Sequence, residues 1–204
     1  MNMEGLGRRL RTPAHTWNVG AYAQVRFLGD GAPCNWNLAA THFPSAIPIL
    51  DFRHAGEHVW EVSRALYRQD DPAQKASGDQ WVAERLGSLQ TEGPKPLLRA
   101  LARRQVLRAL ARRQGKTPAQ QEALRQARHY LTENAGRMDY PQHLLAGRRI
   151  GSGPVEAACK SVVGMRLKPA GMRWSDAGAD AVLAVRTTVL NGDGARLAEL
   201  ARAA

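Results

Sequence analysis

Cysteine is nearly absent from this chain: 204 residues hold two, Cys34 and Cys159. They stand far apart and in no metal-ligand or redox spacing, so a disulfide scaffold and a zinc ribbon are excluded. Reduced thiols of a cytoplasmic protein are expected. Long apolar runs are absent too. The densest stretch, residues 181–185, is far short of the roughly 18 residues that a membrane helix needs, so no membrane partner is expected. The opening residues lack the basic-then-apolar layout of a secretory signal. Acid is in deficit, 18 Asp and Glu against 29 Lys and Arg, for a net charge of +11. Lysine is also scarce: positions 75, 95, 116, 160 and 168 are the five lysines, and arginine supplies the rest.

An arginine-rich chain suits a polyanion, because guanidinium grips phosphate bidentately and stays charged. It is also what a GC-rich genome tends to write, and placement separates the two readings better than totals. Residues 98–128 carry nine basic residues and one acid, Glu122, for +8 locally. Residues 148–173 carry six (Arg148, Arg149, Lys160, Arg166, Lys168, Arg173) against Glu156, for +5. Two concentrated patches favour a polyanionic partner such as nucleic acid, with those six residues as its candidate contacts.

Hydrophobic periodicity predicts a lopsided α/β domain: two early strands, then helices. Residues 23–29 alternate Val25 and Phe27 with polar neighbours and end on Gly29-Asp30-Gly31, and a second strand is expected over 46–52. Its Pro48 lacks a ladder donor and belongs at an edge or at the strand start. Helices are expected over 35–42 and 55–67, with a polar loop at 69–77. A helical stretch follows over 80–140, broken at Gly93-Pro94 and near 115–118. The last helices fall at 154–163 and 177–190, the first entered through Gly153-Pro154. Residues 98–105 and 107–114 both read LRALARRQ. An offset of nine residues is about 900° of helix rotation, so the second copy faces the opposite side. This reads as a tandem duplication tolerated on an exposed segment, not as a solenoid repeat.

Three constellations carry chemistry. Asp30 ends an apolar strand between two glycines, where ligands gather in α/β sheets, although Asp-Gly also makes ordinary tight turns. Glu156 lies in the first turn of the 154–163 helix, where it also suits the helix dipole and an i,i+4 pair with Lys160. Together these two acids suit divalent cations and phosphoryl transfer. The third is His54-Ala-Gly-Glu57-His58, an H-x-x-E-H string that matches inverted zinc peptidases, with Glu133 as a candidate third ligand. Its bland alternative is a pair of structural histidines. Near the carboxyl end, Met172-Arg173-Trp174 mixes base-stacking and phosphate-gripping types, and Trp174 is equally suited to anchoring a core.

Two long strings carry a family resemblance: LGDGAPCNWNLAATHFPSAIPILDFRHAGEHVWEVSRALY and IGSGPVEAACKSVVGMRLKPAGMRWSDAGADAVLAVR. They resemble the DDE transposases of bacterial insertion sequences, the ISKra-type branch, and more distantly the Mutator-like and ISL-type transposases. The resemblance covers residues 29–67 and 140–191. It implies a partial ribonuclease-H-like fold, with a core at 23–68, a helical insertion at 69–140 and the closing part of the core at 141–192. Residues 1–22 and 193–204 lie outside the pattern; the first segment is expected to be divergent or disordered, and the second a divergent tail. The family's G-D-G-A places its second metal carboxylate on Asp30, and its G-S-G-x-V-E places the third on Glu156. Its D-F-x-H falls on Asp51, Phe52 and His54, with Asp51 in support or as a rival second carboxylate. The implied cofactor is Mg²⁺ or Mn²⁺, and the implied chemistry is DNA strand cleavage and joining at element ends by a nucleoid-associated protein.

The first carboxylate of the family's triad belongs on a strand well upstream of Asp30, and the only acid before Asp30 is Glu4. A truncated transposase, inactive by itself, is therefore expected, acting with copies of itself or with a full-length relative. A non-catalytic basic DNA-binding remnant is the alternative, and the zinc peptidase a remote one. A sheet short of strands is expected to leave Val25, Phe27, Ile47 and Ile49 under-covered.

Overall fold

The computed structural model describes residues 3–21, 24–110 and 118–202. It is mostly helical and divides into two compact units, Met1–Gly151 and Ser152–Ala204.

The first unit opens with helix α1 (Met3–Thr16) and a 3-10 turn at Val19–Ala21, so this part of the expected disordered segment is helical. A β-α-β element follows: β1 (Arg26–Gly29), α2 (Pro33–His42) and β2 (Ile47–Leu50). The strands pair in parallel with Arg26 opposite Ile47 and Gly29 opposite Leu50. Among the described residues these are the only two strands, and Pro48 sits on an exposed position of β2, which has a single strand partner there. β2 ends earlier than its apolar run because Asp51 caps the next helix: its Oδ1 accepts the Arg53 and His54 amides at 2.8 and 3.1 Å. Phe52 therefore starts α3 (Phe52–Leu66) and does not extend β2.

The expected loop at 69–77 is helical from Pro72 onward. Asp71 accepts the Ala73 and Gln74 amides at 3.0 and 3.3 Å, and Pro72 occupies the first turn, so α4 runs Pro72–Glu92. Then come α5 (Pro94–Leu110), α6 (Pro118–Glu133), a 3-10 turn at Ala135–Arg137 and α7 (Tyr140–Leu145). The middle helices build the core with α3: Val59 and Val62 meet Val82, Leu89, Leu97, Leu101 and Leu131 in one buried cluster. Each such side chain contributes about 1.5–3 kcal/mol of burial. Leu101 belongs to the first LRALARRQ copy, so that copy is anchored and not merely tolerated on the surface, while the second runs beyond the described residues after Leu110.

Cover over the sheet is better than two strands suggest. Ile49 is fully buried among the helices, and Phe27 packs against Trp36 and Phe43, which leaves Ile47 as the exposed member. Tyr140 locks the base of the sheet. Its ring stands edge-on to Phe52 at 5.3 Å and its hydroxyl donates to the Leu50 carbonyl at 3.0 Å, and burial raises its pKa.

In the second unit α8 (Gly153–Ala158), a π-helical turn at Cys159–Gly164 and α9 (Met165–Leu167) form one continuous helical stretch. It is longer than the expected 154–163 helix and carries a wider turn inside it. α10 (Asp176–Leu190) starts at Ser175, whose Oγ accepts the Gly178 amide at 3.1 Å, and turns at Asn191-Gly192 into α11 (Gly194–Arg202). Arg186 ties α10 to the π turn through the Ser161 carbonyl at 2.8 Å.

Candidate functional site

Asp30 and Asp51 follow the last paired residues of β1 and β2, and the Asp51 amide donates to the Gly29 carbonyl at 2.7 Å. Two carboxylate-bearing residues therefore stand side by side at the carboxyl ends of adjacent parallel strands, about 4.8 Å apart in the pairing direction. That edge is where open parallel sheets gather ligands.

Their environments differ. Asp30 is exposed, and its Oδ1 accepts the Ala32 amide at 3.0 Å and the Asn35 side-chain amide at 2.7 Å. It is thus both the turn residue that its Gly neighbours suggested and an open carboxylate, whose Oδ2 takes no hydrogen bond among the described residues. Asp51 is 1% exposed, with Oδ1 committed to the α3 cap. His54 Nδ1 lies 3.3 Å from that same oxygen, without hydrogen-bond alignment.

α6 closes the site from above. The Tyr130 hydroxyl donates to the Asp30 carbonyl at 2.5 Å across 100 residues of sequence. Gly31 makes this approach possible: it sits at φ +90, and a Cβ there would lie 2.3 Å from the Tyr130 oxygen. The Tyr130 ring packs on His58, centroids 3.7 Å apart, and His58 Nδ1 meets Glu61 Oε2 at 2.8 Å. Burial raises the Tyr130 pKa, and the charges of Asp30, Asp51, Glu57 and Glu61 raise it further, so the phenol stays a donor.

One turn further along, buried Asn134 accepts from Trp36 Nε1 at 3.0 Å and from Arg137 at 3.1 Å, and Arg137 lies over the Trp36 ring at 4.6 Å. This network fixes α2 against α6 beneath the Asp30 turn. Sequence reasoning missed Asn35, Tyr130 and Asn134. Asn35 was legible as an amide five residues after Asp30, but nothing local marks Tyr130 or Asn134.

The H-x-x-E-H residues go to separate partners: His54 to Asp51, Glu57 to Arg53 at 3.5 Å, His58 to Glu61 and Tyr130. Among the described residues no three His, Cys, Asp or Glu side chains are grouped to hold a metal ion. Two oxygen donors at one strand edge nevertheless fit a hard divalent cation, which completes its shell with water and phosphate oxygens.

Glu156 belongs to the second unit, where its Oε1 accepts the Ser152 hydroxyl at 3.1 Å and its amide caps on the Ser152 carbonyl. The candidate DNA contacts divide likewise. Arg148 and Arg149 lie in the first unit; Lys160, Arg166, Lys168 and Arg173 lie in the second and are exposed. Trp174 is exposed, not a core anchor, with the Arg166 guanidinium 5.8 Å from its ring. Cys34 and Cys159 are free and exposed. No helix among the described residues is long and apolar enough to cross a membrane. Compared with family models, curated proteins and solved structures, the chain matches none.

Proposed function

We propose that this chain is a DNA-binding, divalent-cation-binding member of the insertion-sequence DDE transposase kind, and that by itself it holds DNA without cutting it. The observation that carries this reading is the pair of carboxylate-bearing residues, Asp30 and Asp51, side by side at the carboxyl ends of β1 and β2. On a protein of net charge +11 that meets a polyanion, such a pair repels phosphate unless a cation lies between. Asp30 is the residue that would hold Mg²⁺ or Mn²⁺, because its carboxylate is open, with Asp51 behind it. The bound cation supplies Lewis-acid stabilisation of a phosphoryl oxygen.

The chain's own residues do the rest. Asn35 and the Ala32 amide orient the Asp30 carboxylate through Oδ1, Tyr130 pins the turn that carries it, and the α3 cap holds Asp51 rigidly beside it.

Incubation with supercoiled plasmid and Mg²⁺ or Mn²⁺ tests this. A retarded band without nicking is expected, together with Mn²⁺ binding by calorimetry that weakens at least tenfold in Asp30→Ala. Plasmid left unretarded at low salt overturns the DNA reading, and nicking lost in Asp30→Ala or Glu156→Ala overturns the inactivity.

A further inference from the structure

We propose that Arg26, Arg148 and His143 form a preorganised seat for one phosphodiester group, at the opposite end of β1 from Asp30. Arg26 and Arg148 both donate through Nη2 to a single oxygen, Oε1 of Gln24, the latter at 2.5 Å. Two guanidinium groups converge on one uncharged acceptor. Guanidinium pairs far better with a carboxylate or phosphate oxygen, so the Gln24 oxygen stands where an anion's oxygen belongs, and the two positive charges there remain uncompensated.

The seat also has unused donors. Arg26 Nε is buried without a partner among the described residues, and so is Nδ1 of His143, a side chain only 6% exposed. His143 adjoins Arg148, whose amide donates to the His143 carbonyl at 2.8 Å. Burial lowers its pKa, and the charges of Arg148 and Arg26 lower it further, against Asp139, the one acid acting on it. Buried donors left unpaired are uncommon and call for a ligand or water.

The backbone holds both arginines in place. Arg26 is the first residue of β1. Arg148 is set by the end of α7: Gly147 turns at φ +65, and the Arg148 amide donates to the His143 carbonyl at 2.8 Å. The anion seat stands on this geometry alone; its assignment to a DNA phosphate rests on the function proposed above.

Gln24→Glu tests the seat by placing a permanent carboxylate between the two arginines. Gln90→Glu, on an exposed face of α4, makes the same charge change elsewhere. Binding of a short labelled duplex is measured over a salt series with the full chain. Wild type and Gln90→Glu are expected to share one log K against log salt slope, and Gln24→Glu and Arg148→Gln to lose about one phosphate's worth, near 0.9 in slope. At constant ionic strength, inorganic phosphate is expected to raise the Tm of wild type and Gln90→Glu but not of Gln24→Glu. An unchanged slope in both Gln24→Glu and Arg148→Gln overturns the DNA phosphate assignment. Equal phosphate stabilisation of Gln24→Glu overturns the seat itself. A seat-dependent phosphate effect with seat-independent duplex binding reassigns the site to a free phosphate. Seat-dependent duplex binding in a chain whose Asp30→Ala variant holds Mn²⁺ as wild type does leaves the seat standing and removes the transposase reading.

Discussion

The two units of this chain use similar residues to different ends. In Met1–Gly151 the apolar stripe of α3 turns into core, with Val59 and Val62 fully buried against Leu89, Leu97 and Leu131. In Ser152–Ala204 the stripe of α10 stays wet: Val185 and Val189 are about half exposed, and among the described residues Thr188 is the one buried side chain. There the stripe, with Arg166 and Arg186, lines an open groove of about 400 Å³. An apolar period of 3.6 residues therefore marks a face, but whether that face becomes core depends on what the chain folds over it.

The largest expected effect separates the units by core deletion. Leu131→Ala should cost about 2–5 kcal/mol by denaturant unfolding, whereas Val189→Ala, already half exposed, should stay within about 0.5 kcal/mol. Equal losses would mean that the exposed stripe is as well packed as the buried one.

Next come two glycines with positive φ. Gly192 at φ +71 has nothing within 4 Å of a built Cβ, so Gly192→Ala should cost only backbone strain, about 1 kcal/mol. Gly31→Ala adds the collision with Tyr130 and should cost about 2–3 kcal/mol. If Tyr130→Ala, which removes the colliding ring, does not narrow that difference, the collision is not its source. Tyr130→Phe alone, which removes the donor to the Asp30 carbonyl, should cost about 1 kcal/mol and weaken Mn²⁺ binding, since the turn that carries Asp30 loses its pin.

The smallest effect is on pH. His143 is held below the ordinary histidine pKa in the fold, so the folded state binds its proton less readily than the unfolded chain. Its stability contribution is fully present above about pH 6.5 and is lost as pH falls through the folded value. His143→Gln should flatten that acid decline, and an unchanged profile would place the titration elsewhere.

Much of the first unit was legible because its signals are local. Val25 and Phe27 alternate as a strand should, and Pro44 falls just beyond the end of α2. The misreadings were contests between two local signals. The apolar run through Phe52 suggested a longer strand, but Asp51 could satisfy two helix amides and did so. Polar composition at 69–77 suggested a loop, while Asp71-Pro72 was already a helix start. In the second unit the π turn at Cys159–Gly164 had no sequence mark, and it changes how residues after Glu156 are spaced around the helix.

Composition and spacing by themselves determined the net charge, the scarcity of cysteine, the acid at the end of the first strand and most helix limits. These depend on residue type, on 3.6- and 2-residue periods, and on capping within a few positions. Tertiary structure alone decided that Tyr130 would close over Asp30 from 100 residues away, and that Arg26 and Arg148 would share one glutamine oxygen across the first unit. Such meetings are set by which faces bury against which, a choice made by the whole packed core rather than by any short segment.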